Sequence, residues 1–325
     1  MKVFFEKSDN DKLMSKLGFG TWGLGGEAYG EISYNHAVEV VRHAYNSGIR
    51  FFDTAPLYGS GRSESILGHA LKLFNPESFQ IVTKIGLYFD SSSGQEFHNF
   101  SEEQIRDSIQ DSKNRLQREK LDLILFHSPE ETHFPMIFQY LQKNYRENAT
   151  HLTGKVGVSL KKPTDVDFFI STNAVSAFEF NLSLMDQRAY QTTLNTTRLA
   201  GFLRIGRTPY NFGFLTDNPP GGKPPSKETN QHLSRWSQIQ FDKWHRFREI
   251  WLSIADENNL KLQDLALSFV LSSDLVDVVI PGFMDFEQID SAISTVRRGR
   301  LSTETIHKLR QIYLRENSFH SLQSK

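Results

Sequence analysis

Four residues in the first half of the chain have side chains that could do acid–base chemistry together. They are Asp53 in the run FFDTAPLYG, Tyr58 in the same run, Lys84 in IVTKIG, and His127 closing LDLILFH. A lysine set in an apolar strand is almost never fully buried without a partner, and an aspartate beside it would offset the cost of desolvating either charge. An ammonium close to a tyrosine favours the phenolate and lowers a pKa that starts at about 10. A tyrosine tuned in this way can give a proton to a carbonyl oxygen near neutral pH, with an imidazole N–H holding that oxygen. Each residue taken alone also has a structural reading. Asp53 before Thr54 can organise a turn, Tyr58 can be a half-buried loop aromatic, and His127 can be a satisfied histidine at a strand end.

The elements that must carry these residues alternate regularly. Eight short β-rich apolar runs occur at 17–20, 50–55, 80–86, 121–127, 155–160, 177–181, 202–208 and 276–282. Several are nearly continuous hydrophobics, as parallel strands covered on both faces should be. Between them lie amphipathic stretches. Ala37, Val38, Val40, Val41 and Ala44 share one helical face ahead of Gly48, which sits where a C-terminal cap belongs. Ser101 with Gln104 reads as a capping box for a helix burying Ile105, Ile109 and Leu116. In 62–74 the same spacing buries Ile66, Leu67, Ala70 and Leu71. Eight strand–helix units in 325 residues predict an α/β fold, a single (β/α)8 TIM barrel with its active site at the C-terminal ends of the strands. Two long loops fall on that face, 87–100 after the third strand and a Pro- and Gly-rich segment after the seventh. The second, spanning 217–240 with its irregular part at 217–230, reads either as a flap over the site or as a plain surface insertion. Residues 302–325 should form a C-terminal helix and tail outside the barrel.

Composition narrows the function. Lysine and arginine number 37 against 38 acidic residues, so the net charge of -1 offers no electrostatic case for a nucleic-acid partner. Cysteine is absent, which excludes disulfides, thiolate zinc sites, Fe–S clusters and a cysteine nucleophile. No apolar run approaches the length of a membrane span or a signal peptide, so a cytoplasmic, membrane-free protein is expected.

The segments GFGTWGLGG, FFDTAPLYGSGRSESILGHAL, IVTK, LDLILFHSPE, VGVS and VVIPG follow one another in an order that resembles the aldo-keto reductase superfamily, in the style of its bacterial members. The resemblance implies that Asp53, Tyr58, Lys84 and His127 form the family's catalytic tetrad without substitution. It implies a cofactor that is NADP(H) in preference, with NAD(H) open, and no metal. Gly20, Thr21 and Trp22, together with Asp53, match the first cofactor loop, and Ser159 matches the serine that holds the nicotinamide carboxamide. Arg207 falls where a planar group lies on the nicotinamide ring, a role its guanidinium can fill. Pro209, Gly213 and Leu215 match the loop around the pyrophosphate, and Gly282, Phe283 and Gln288 the stretch that meets the adenosine. The substrate pocket should be rimmed by Trp22, Tyr58, Tyr88, Phe89 and His127.

The departures concern the cofactor. Leu160 stands where relatives commonly have Asn after the serine, and Ala177 where they commonly have Gln. Around Met284, Asp285 and Gln288 there is no base for a 2′-phosphate, which an acidic neighbour repels, although Arg297 and Arg298 are near in sequence. The expected activity is reduction of an aldehyde or ketone to an alcohol, with a small carbonyl compound as the only partner and no expectation for oligomeric state. An enzyme of sugar or sugar-nucleotide metabolism and a non-catalytic cofactor-sensing subunit are the alternatives.

Overall fold

In a computed structural model, the structure describes residues 1–6, 9–90, 92–146, 154–194, 201–226, 230 and 233–316. Eight parallel strands form one sheet: β1 (Phe19–Gly20), β2 (Phe51–Asp53), β3 (Gln80–Ile85), β4 (Leu123–His127), β5 (Lys155–Ser159), β6 (Ala177–Asn181), β7 (Leu203–Arg207) and β8 (Val278–Ile280). Each pairs with the next in sequence, and parallel bridges Leu17–Val279 and Gly20–Gly282 join the two edges. The result is a single barrel domain, and all eight strands fall inside the runs that the sequence marks.

Helices on the outside explain the continuous hydrophobicity of the strands. Tyr34–Asn46 buries Ala37, Val38, Val40, Val41 and Ala44 as its periodicity predicts, and Ser33 caps it by accepting from the His36 N–H. The helix Glu102–Leu116 begins differently from expectation. Ser101 accepts from Gln104 N, but its own N–H goes to Asn99 Oδ1 at 3.0 Å instead of to the Gln104 side chain. The loop expected at 87–100 is mostly a β-hairpin, Leu87–Asp90 paired antiparallel with Gln95–His98. After β7, no helix or strand occurs in the described part of 217–232, and Gln238–Asp256 is a helix, so the last residues of the 217–240 segment belong to regular structure. Thr303–Glu316 is helical, as expected at the C-terminal end. No helix among the described residues is long and apolar enough to cross a membrane.

Inside the barrel, Phe51, Val82, Leu123, Leu125, Ala177, Ile205, Val278 and Ile280 pack into one buried cluster. Because strand side chains alternate between faces, these residues identify the inward positions. One step further along six consecutive strands, the inward series changes character. Phe51 gives way to Asp53, Val82 to Lys84, Leu125 to His127, Gly157 to Ser159, Ala177 to Glu179, and Ile205 to Arg207. The barrel is therefore apolar through its lower layers and carries its charge in the top one.

Candidate active site

Lys84 is fully buried, and its Nζ donates to both oxygens of Asp53 at 2.6 Å and to the Thr54 carbonyl at 3.2 Å. A bidentate contact of this kind requires Asp53 in its carboxylate form. Burial and the neighbouring Glu179 charge nonetheless raise the proton affinity of Asp53 well above the ordinary carboxylate value, against the pull of Lys84. Lys84 is itself raised, because Asp53 and Glu179 together outweigh the cost of burying an ammonium. Its Nζ lies 5.3 Å from the Tyr58 ring centre. The Tyr58 ring stands edge-on to His127 at 6.0 Å and beside Trp22 at 6.3 Å. The four residues singled out by their chemistry are thus brought together.

Two backbone devices place Tyr58. The loop after β1 and the loop after β2 touch main chain to main chain: a Cβ on Gly25 would stand 2.8 Å from the Gly59 nitrogen, and Gly59 holds φ +60°. Only glycine at both positions permits that approach. Beneath them Thr21 Oγ1 donates to the Asp53 carbonyl at 2.8 Å, and Ser63 Oγ donates to the Thr21 carbonyl at 2.8 Å. The hydroxyl of Thr21 is therefore committed to holding the end of β2.

The electrostatics differ from the sequence expectation in one respect. Burial pushes the Tyr58 phenol up to about 12; Lys84 and Arg207 lower it, while Asp53 and Glu179 raise it. The lysine's effect is present but does not win, so the phenol stays protonated at neutral pH. Burial, with help from Lys84 and Arg207, holds His127 well below the usual imidazole range, and the ring is neutral.

The largest omission of the sequence reading is Glu179. It is 1% exposed and sits directly across from Ser159 in the β5–β6 register. Its Oε1 accepts from Ser159 Oγ at 3.0 Å and lies 3.5 Å from Arg207 Nε; its Oε2 lies 3.3 Å from Lys84 Nζ. Despite burial, Lys84 and Arg207 hold its carboxyl below the ordinary range. The rule that singled out Lys84 applies equally to a glutamate in the run AFEFN, and would have found it. Ala177, where the sequence comparison looked for a polar group, pairs instead with Gly157 and lines the apolar interior. The polar residue of β6 beside Ser159 is two positions later.

The remaining expected contacts divide. Ser159 and Arg207 lie in the charged layer, and the Arg207 Nη2 donates to the Leu160 carbonyl at 3.1 Å. Trp22 is joined by Tyr29, edge-on at 5.5 Å, an aromatic in the glycine-rich loop that the sequence reading passed over. Tyr88 and Phe89 are half-buried on the hairpin after β3, and the Tyr88 hydroxyl accepts from the Gly86 N–H. Pro209 is buried, Gly213 takes φ +92°, and Leu215 is buried in the core, as is Phe283, which packs edge-on to Phe19 at 5.2 Å. Only the backbone of Leu215 and Phe283 is left to meet a ligand. At the end of β8, beyond Gly282, Asp285 caps the helix Phe286–Arg297 by accepting from Gln288 N. Gln288 Oε1 in turn accepts from the Met284 N–H. Arg298 is engaged with Asp264 at 2.9 Å. Among the described residues, no group of three or more His, Cys, Asp or Glu could hold a metal ion.

Comparisons with known proteins identify the family and the fold. A model of the Aldo/keto reductase family matches residues 16–314. L-galactose dehydrogenase of Arabidopsis thaliana is 29% identical over 299 residues, 87% of this chain and 84% of that protein. An aldo-keto reductase of Bacillus halodurans in its holo form superposes with a TM-score of 0.73 at 22% identity, covering 91% of each chain. One from Klebsiella pneumoniae, in complex with NADP and acetate, gives 0.64 at 18% identity over 92% of this chain and 91% of that one. With the family model spanning nearly the whole chain and the barrel matching in fold, the chain belongs to the Aldo/keto reductase family, whose members are NAD(P)H-dependent oxidoreductases.

Proposed function

We propose that this protein reduces an aldehyde or ketone to an alcohol, with Tyr58 as the proton donor. The observation that carries the reading is the Asp53–Lys84 pair set beneath a tyrosine whose hydroxyl has no hydrogen-bond partner among the described residues, with a neutral imidazole beside it. The hydride that reduces the carbonyl carbon would come from a nicotinamide cofactor, NADP(H) or NAD(H), when one is bound. Tyr58 gives its proton to the carbonyl oxygen, which an N–H of the neutral His127 ring holds. Lys84 stabilises the phenolate left behind, and water returns the proton. Asp53 keeps Lys84 in place and charged.

The residues present suit such a cofactor. Glu179 Oε2 and Arg207 Nε are buried polar atoms in the charged layer that make ion pairs, with Lys84 and Glu179 respectively, but no hydrogen bond. In this reading Ser159, whose hydroxyl donates to Glu179, meets the carboxamide, and the planar guanidinium of Arg207 lies on the nicotinamide ring. The segment after β7 serves as a flap in this reading. Arg235 forms a two-pronged ion pair with Glu96 on the hairpin after β3, at 2.8 and 2.5 Å, and Asn230 donates to the Ala28 carbonyl in the loop after β1. Oxidation of NADPH and NADH is to be followed with a panel of aldehydes and ketones. No oxidation on any of them, with cofactor binding established, refutes the catalytic reading. A sugar substrate is the second reading, favoured by the likeness to a plant L-galactose dehydrogenase. Oxidation of an aldose with NAD+ or NADP+, faster than any simple carbonyl is reduced, decides for it.

A further inference from the structure

We propose that Glu179 is a positioning residue of this reaction: it shares the Lys84 ammonium with Asp53 and so governs how readily Tyr58 gives up its proton. The inference rests on the reading of Tyr58 as proton donor. Its grounds are geometric. Glu179 reaches three members of the charged layer at once, Lys84 at 3.3 Å, Ser159 at 3.0 Å and Arg207 at 3.5 Å, from a fully enclosed position. The groups around Tyr58 are few. Asp53 comes from β2, Lys84 from β3, His127 from β4, Glu179 from β6, Arg207 from β7, and Tyr29 from the loop after β1. His127 and Tyr29 are neutral, so the field at the phenol is set by two cations and two carboxylates. Removing the Glu179 charge leaves Lys84 and Arg207 facing Asp53 alone, and the excess positive charge favours phenolate. A Tyr58 that ionises earlier is lost as an acid earlier on the alkaline side. Lys84 also loses one of the two anions that hold it, and Ser159 and Arg207 lose the group that orients them.

Glu179→Gln keeps the shape and removes the charge. Two readouts follow it: the alkaline limb of the pH profile of carbonyl reduction, and an ultraviolet titration of phenolate in the cofactor-free protein. The Tyr58 signal is taken as the difference from a matched Tyr58→Phe chain. In Glu179→Gln both should move to lower pH by about one unit, while Glu179→Asp, which keeps the charge, leaves them near the wild-type position. A folded Glu179→Gln protein whose limb and titration stay in place overturns the proposal, whatever happens to its maximal rate. Should Glu179→Gln not fold, the same charge is removed in an Arg207→Gln background, where the loss is electrically balanced. The double variant must then ionise Tyr58 at lower pH than Arg207→Gln alone, and coincidence of the two again overturns it. The titration needs no turnover. Failure of the wild type to reduce any carbonyl would therefore count against the proposed function, and an unmoved phenolate against Glu179.

Discussion

Lys84→Met is the perturbation with the most to say about this fold, because it separates stability from catalysis. In the wild type the ammonium is fully enclosed, 2.6 Å from each Asp53 oxygen and 3.3 Å from Glu179. Methionine fills a similar volume but leaves two buried carboxylates, with Arg207 beside Glu179 and no cation bonded to Asp53. Breaking a buried pair by removing one partner costs about 3–5 kcal/mol, because the other charge stays in a place it cannot be solvated. The penalty should depend on pH in a known direction. Without Lys84, the folded-state proton affinity of Asp53 rises further above its unfolded value. A group raised in this way binds its proton more tightly when folded, so the variant is least impaired at low pH and loses stability as pH rises through the folded pKa. The assay is thermal and denaturant unfolding of wild type, Lys84→Met and Lys84→Met/Asp53→Asn between about pH 5 and 8. The single variant should lie several kcal/mol below the wild type at the upper end and recover toward the lower end. Adding Asp53→Asn should restore much of the loss. A Lys84→Met protein within about 1 kcal/mol of wild type at every pH would refute the idea that the ion pair anchors the charged layer.

The other expectations are shorter. Tyr58→Phe should lower turnover by about 10²–10⁴-fold while leaving cofactor affinity, measured by titration, almost unchanged. Arg207→Ala should weaken cofactor binding sharply; a dissociation constant equal to wild type would remove the guanidinium from the cofactor site. Ala177→Gln should destabilise the protein without improving cofactor affinity, since Ala177 lies in the apolar interior and a buried amide there finds no partner. Unfolding at wild-type denaturant concentrations would contradict this. Asp285→Ala should raise affinity for NADP relative to NAD, because the carboxylate that caps the helix Phe286–Arg297 repels a 2′-phosphate; equal effects on the two cofactors would place the phosphate elsewhere.

Patterning along the chain dictates the barrel and points to three of the six side chains in its charged layer, Asp53, Lys84 and His127. Continuous apolar runs followed by amphipathic helices admit few other folds, and the strands fall inside the runs because burial on both faces dictates their composition. Asp53, Lys84 and His127 were legible because each is a polar residue at or near the end of such a run, and the structure brings Tyr58 to them across a glycine contact. Which of these side chains stand beside one another depends on strand pairing. Register is invisible in one strand alone, so Ala177 and Glu179, two residues apart on the same face, could not be told apart as the neighbour of Ser159 until β5 and β6 were paired. The sign of the Tyr58 shift was hidden for the same reason. Its nearest cation could be inferred from spacing, but burial and a second carboxylate from a strand nearly a hundred residues beyond Lys84 outweigh that cation. Electrostatic energy depends on distance and enclosure in three dimensions, and those the chain acquires only when the barrel closes.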